Sequence, residues 1–316
     1  MIPTSGVSLS STITVTCQRN LSLMISPRLP FCNLPVELLF SILELASLHC
    51  RPSVLAVVCK AIHPIINAIL YHTVVLESAT DIALFHRTVH LKPRIFFANH
   101  VRRLVVTCLR NSPEYQILDI LAACAALRVL VLPSSRHPFT ISPRNHDGGL
   151  SELTLQSLDI DDICGHDLPL TTNLDSLTHI RFCEPSNVWC SPLSMLASFG
   201  PLPHLSHLQL SRCANANQDN DYLFLEDIRI ILRSYADLKL LVVSIFDNRS
   251  WMSSVESVAE SNFLNLMREL RDEDSRVVVL VGGYGDWKKG WEVTKTSRCE
   301  SKESIFLIQQ CCGPLC

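Results

Sequence analysis

Apolar residues in this chain recur in a phrase of the form L-x-x-L-x-L, with substitutions. Seven copies are present: Tyr71–Leu76 (YHTVVL), Val101–Val106 (VRRLVV), Leu127–Leu132 (LRVLVL), Leu150–Leu155 (LSELTL), Leu177–Phe182 (LTHIRF), Leu205–Leu210 (LSHLQL) and Leu238–Val243 (LKLLVV). Their first positions are 23 to 33 residues apart, close to the roughly 20–29 of leucine-rich repeats, with the outer copies stretched. Side chains two apart on a strand point the same way. The fourth and sixth positions are nearly all Leu, Val, Ile or Phe, so stacked copies share one core.

Helix signals fill several intervals. Ser112-Pro113-Glu114 is a cap, a first-turn proline and an acid leading into Ile117, Leu118 and Leu121. Ser191-Pro192 starts a shorter helix through Met195 and Phe199, and Asp221 opens one through Ile228, Ile231 and Leu232. Phe263, Leu266, Met267 and Leu270 make the clearest amphipathic stripe, and Val277 to Val281 reads as a last strand. Such alternation suits a solenoid or a doubly wound sheet. A doubly wound sheet has no reason to repeat one phrase, so the expected fold is α/β, an irregular leucine-rich-repeat-like solenoid. The asparagine that usually ends a regular leucine-rich strand motif is missing.

Ahead of the repeats, residues 33–76 carry apolar side chains at most positions. Pro35 sits where a first helical turn tolerates it. Leu38, Ile42 and Leu45 form one apolar row, and Leu39, Leu43 and Ala46 form another beside it. One core stripe needs one row. The second predicts burial against a partner.

The same stretch resembles the F-box, the short module that binds the Skp adaptor of cullin–RING ubiquitin ligases. The matching residues are Leu34, Pro35, Glu37, Leu38 and Leu39, then Ile42 and Leu43, then Leu55, Ala56, Val58, Cys59 and Lys60, and finally Leu70, Tyr71 and Val74. The segment ILYHTVVL looks like the version common in large fungal F-box families. The family often has Trp shortly after the Cys-Lys pair; here Ile62 and His63 fill that region. The resemblance implies a three-helix F-box-like module that docks a Skp-type adaptor, and through it a cullin, with Leu34, Pro35, Glu37, Leu38, Ile42, Leu55, Val58 and Cys59 at the contact. It implies a non-catalytic substrate-recognition subunit whose repeats hold a target protein. A scaffold or binding protein with a degenerate module and no ligase role is the alternative, and an enzyme with a cryptic site a third.

The expected organisation is a disordered leader over 1–32, the helical module over 33–70, the solenoid over 71–293 and a poorly defined tail over 294–316. In a solenoid, positions three, five and seven of each strand motif face the open concave surface. The central copies carry most of the polar groups there, which makes Glu152, Thr154, Gln156, His179, Arg181, His207 and Gln209 the expected target-binding residues.

Composition narrows the function classes. Hydrophobic residues make up 47% of the 316 residues, enough for a sizeable core. A net charge of −3 with no run of more than two Lys/Arg gives no field for a nucleic-acid backbone, and no apolar run approaches a membrane span. The 14 cysteines contain no CxxC pair, which fits a reducing compartment, cytoplasmic or nuclear, rather than a disulfide framework or a zinc site. No cofactor motif is found: no GxSxG, HExxH, P-loop or GxGxxG. The glycines after Val281 precede no amphipathic helix and read as a turn, with Trp287 and Trp291 packing a cap onto the solenoid end. Asp159, Asp161, Asp162, His166 and Asp167 match no cation loop and read as a solvated connection, and His204 and His207 as a surface pair.

Overall fold

The computed structural model describes residues 34–49, 54, 55, 60, 62–108, 114–133, 149–158, 174–186, 188–214, 216–247 and 258–288. Helices α1 (Val36–His49) and α2 (His63–His72) come first, and strand β1 (Thr73–Leu76) follows α2 without a connecting residue. The remaining elements are α3 (Ala79–Leu91), α4 (Arg94–His100), β2 (Arg103–Val106), α5 (Glu114–Ala123), β3 (Val129–Leu132), β4 (Glu152–Leu155), β5 (His179–Phe182), α6 (Pro192–Ala197), β6 (His207–Cys213), α7 (Gln218–Ser234), β7 (Leu240–Phe246), a 3-10 turn (Val258–Glu260), α8 (Asn262–Glu273) and β8 (Val277–Gly282).

The protein is α/β, with one open eight-stranded sheet in which every neighbouring pair is parallel and the spatial order follows the chain from β1 to β8. A doubly wound sheet reverses its strand order at a switch point; this one never reverses. The register joins the third residue of each phrase to the third of the next: Thr73 to Arg103, Arg103 to Val129, Val129 to Glu152, Glu152 to His179, His179 to His207, and His207 to Leu240.

The residues just before the strands extend this regularity. The amide of Arg102 donates to the carbonyl of His72, Arg128 to Arg102, Ser151 to Arg128, Thr178 to Ser151, Ser206 to Thr178, and Lys239 to Ser206, all at 2.8–3.0 Å. Each of these residues holds the second position of its phrase. Where that position is Ser or Thr, the hydroxyl donates to the same carbonyl as its own amide, as in Ser151, Thr178 and Ser206.

The fourth and sixth positions, from Leu104 and Val106 to Leu241 and Val243, are buried in one core with apolar residues of α3 to α8. First positions Val101, Leu127, Leu150, Leu177, Leu205 and Leu238 are buried in it too. Local chemistry sets the helix starts. Ser78 accepts from the Asp81 amide while the Asp81 carboxylate accepts from Ser78 N–H, a reciprocal cap opening α3. Ser191 caps α6 with Pro192 in the first turn, and Ser261 caps α8. Helix α7 begins three residues before Asp221, because the Asn217 side chain accepts from the Asp219 amide and takes the cap.

Among the described residues, no helix is long and apolar enough to cross a membrane.

Candidate functional site

Two surfaces carry the residues singled out in the sequence. The first is the outer side of α1. Its helix is closed from Pro35, whose carbonyl accepts from Leu39 N–H at 3.0 Å. Leu39 and Leu43 are buried against Ile62, Ile66 and Ile69, with Leu55, Ile65 and Leu70 packed beside them. The neighbouring row faces outward: Leu38 is 54% exposed where Leu39 is 8% exposed, Ile42 and Leu45 follow Leu38, and Val36 and Phe40 are exposed as well. Pro35 and Glu37 are exposed, and Leu34 and Leu55 are half-buried. Val58 and Cys59 lie outside the described residues. Fully burying a Leu or Ile side chain is worth about 1.5–3 kcal/mol, and roughly half of the surface of Leu38, Ile42 and Leu45 faces water.

The second surface is the sheet face opposite the main core. Thr154, Arg181 and Gln209, at the fifth position of successive phrases, are buried there, and Glu152, Gln156, His179 and His207 are half-buried. Several of them are tied to neighbouring side chains rather than standing as an open row. The Arg181 Nε donates to Gln209 Oε1 at 2.8 Å, and Gln209 Nε2 donates to Ser244 Oγ at 3.0 Å, so one chain of hydrogen bonds crosses β5, β6 and β7. Gln156 Nε2 donates to Glu184 Oε2 at 2.7 Å.

The rings of His179 and His207 stack, and each Nδ1 meets the hydroxyl of the preceding residue, Thr178 or Ser206, at 2.8 Å. Burial and the nearby Arg181 charge hold His179 below the usual imidazole range. Burial, then His179 and Lys239, bring His207 down to about 4, so both rings are neutral at pH 7.

The segment after β8 closes this face. Tyr284 packs on Phe246 and approaches Cys213 Sγ, and Gly285, at φ +84°, donates its amide to Glu184 Oε1 at 2.7 Å. Trp287 is then buried in a cluster with Val105, Val131 and Cys183, which belong to or follow β2, β3 and β5. The expectation that Trp287 caps the end of the sheet is therefore corrected: the turn at Gly283–Asp286 sends the chain back over its middle. Trp291 lies outside the described residues. Burial pushes the Cys183 thiol up to about 11.

Beside this turn a cleft of about 620 Å³ opens at the carboxyl ends of β5 and β6, lined by Glu184, Trp189, Arg212, Asn217, Phe224 and Tyr284 among others. Arg212 is buried. Its Nε donates to Asp221 Oδ1 at 2.7 Å and its guanidinium lies 4.6 Å from the Trp189 ring centre. Nothing in the sequence pointed to this pair, since Asp221 reads there as a helix-opening acid. The cluster at 159–167 falls outside the described residues.

A comparison with known protein families, curated proteins and solved structures returns no match to this chain.

Proposed function

We propose that this protein is a substrate-recognition adaptor of a cullin–RING ubiquitin ligase, in which residues 33–70 act as an F-box-like module and the remaining chain as an irregular leucine-rich-repeat-like solenoid. The observation that carries the reading is the division of α1 into two apolar rows, Leu39 and Leu43 turned inward and Leu38, Ile42 and Leu45 turned outward. A helix used only as a cap has no need of the second row. Leu38 and Ile42 of the outward row are among the residues that the F-box resemblance assigns to the Skp contact.

The solenoid reading is supported by equal register at successive phrases and by the second-position ladder from His72 to Lys239. Neighbour-only stacking of equivalent units is the property that distinguishes such arrays. On this reading the target meets the rim of the sheet face at Glu152, Gln156, His179 and His207, while Thr154, Arg181 and Gln209 shape that face from beneath. The adaptor is non-catalytic, takes no cofactor, works in the cytoplasm or nucleus, and needs neither nucleic acid nor membrane.

Co-purification with a Skp adaptor tests the proposal. The wild-type chain captures Skp and cullin, and Leu38→Glu with Ile42→Glu loses both while keeping the wild-type circular dichroism. Failure of the folded wild-type protein to bind Skp refutes the ligase role. Retained binding in the double variant refutes the assignment of the surface. Target capture without any Skp contact favours the scaffold reading instead, which shares the same repeats.

A further inference from the structure

We propose that His86, His90 and Asp119 form a binding site for a divalent transition-metal ion, zinc by the chemistry of its ligands, on the helical layer of the molecule. This inference is independent of the proposed ligase role.

His86 and His90 are one helical turn apart on α3, so their side chains share a face. Asp119 is on α5, the helix that packs alongside α3. The three potential ligand atoms form a small triangle. His86 Nε2 lies 2.9 Å from Asp119 Oδ2 and 3.0 Å from His90 Nε2, and His90 Nε2 lies 3.7 Å from Asp119 Oδ2. Three ligands of a tetrahedral zinc ion with bonds near 2.0–2.1 Å stand about 3.3–3.4 Å apart. The triangle is therefore one face of such a tetrahedron, distorted by a few tenths of an ångström.

Hydrogen bonding alone serves this arrangement poorly. An imidazole nitrogen offers one proton or one lone pair. His86 Nε2 faces an acceptor-only carboxylate and a second ring nitrogen, and a single proton has to be shared between them. If His90 supplies the proton instead, His86 turns a lone pair toward the carboxylate. A divalent cation held over the triangle resolves the conflict, because each of the three groups then offers it a lone pair.

The donor set narrows the ion. Two imidazoles and one carboxylate suit zinc, copper, nickel and iron(II) better than magnesium or calcium, which prefer oxygen cages. The His86 side chain is 14% exposed, whereas those of His90 and Asp119 are 61% and 49% exposed. One ligand is thus anchored, with Tyr115 edge-on against its ring, and the other two leave a solvent-facing position for water. Bound there, the ion ties the helix following β1 to the helix following β2, outside the main core.

The test is a Co²⁺ titration of the full chain in a non-thiol reductant, followed by competition with Zn²⁺. The expected result is one ion per chain, visible bands of tetrahedral cobalt without the near-ultraviolet thiolate band, and displacement by zinc. His90→Ala and Asp119→Asn, both at exposed side chains, are expected to lower the affinity at least about tenfold with unchanged circular dichroism. Zinc is expected to raise the melting temperature of the wild type and not of the variants. The proposal is overturned if no ion binds, if a thiolate band shows that the cysteines hold the cobalt, or if both variants bind as tightly as the wild type.

Discussion

The imidazole rings of His179 and His207 lie face to face on adjacent strands, their centres 4.2 Å apart and their planes 4° from parallel. Protonating both rings would oppose like charges across this half-buried stack. It makes the sheet face sensitive to acid.

The sign of that sensitivity follows from the depressed values. In the unfolded chain each imidazole titrates near 6.5, while in the fold His207 titrates at about 4. Between these limits the unfolded state binds more protons, so stability is full above the unfolded value and falls as pH drops through the window. The melting temperature is expected to decline from pH 7 towards pH 4, and His207→Gln is expected to flatten that decline. Thermal unfolding of both proteins across the range measures the difference, and parallel profiles would discount the stack.

Leu38 and Leu39 are neighbours with opposite fates. Leu39→Ala opens a gap against Ile62, Ile66 and Ile69, with an expected cost of about 2–5 kcal/mol. Leu38→Ala trims a side chain that is 54% exposed, and its effect on the isolated chain stays within about 0.5 kcal/mol. Urea unfolding monitored by circular dichroism distinguishes the two, provided that it follows the transition of α1 and α2.

Gln209 accepts from Arg181 and donates to Ser244 in a buried setting. Replacing it by Leu keeps the volume and removes both bonds, so the expected loss is about 1–3 kcal/mol. A fall in the denaturation midpoint at constant slope is the signature to look for. An unchanged midpoint would mean that the array contributes nothing to stability.

Trp287 buries its indole nitrogen, and among the described residues nothing accepts a hydrogen bond from it. Trp287→Phe therefore loses no bond and relieves an unsatisfied donor, which costs about 1–3 kcal/mol when buried. It is expected to be tolerated. Trp287→Ala uncovers the sheet, and site-resolved alkylation by mass spectrometry is expected to show faster modification of Cys183, which is buried in the same cluster. Equal alkylation in the wild type and the Ala variant would show that the turn does not guard that thiol.

What was legible in the chain divides along physical lines. The strands and their inward faces could be read because a period of two, anchored by Leu at fixed places, puts both Leu104 and Leu130 inside. The α6 and α8 starts could be read from Ser191-Pro192 and from the Phe263–Leu270 stripe. Helices α3 and α4 carry no apolar stripe as clear as that of α8, although Ser78 and Asp81 hold the spacing of a reciprocal cap. The meeting of His86 and His90 with Asp119 depends on how two helices pack, and no local pattern encodes it. The place of Trp287 is hidden for the same reason: it depends on the positive φ of Gly285 and on a hydrogen bond to Glu184, more than a hundred residues back in the chain. Which apolar row of α1 faces inward was settled by Ile62, Ile66 and Ile69, residues of the following segment.

The ladder from His72 to Lys239 joins each strand from β1 to β7 to its immediate neighbours at one alignment, whatever the length of the segments between them. Their lengths are accordingly free: intervals from 23 to 33 residues are accommodated at one alignment, and doubling a flexible connection costs only about 0.6 kcal/mol. Insertions and deletions between strands can accumulate in such a chain without disturbing its frame, so its descendants can diverge in length while keeping the same sheet.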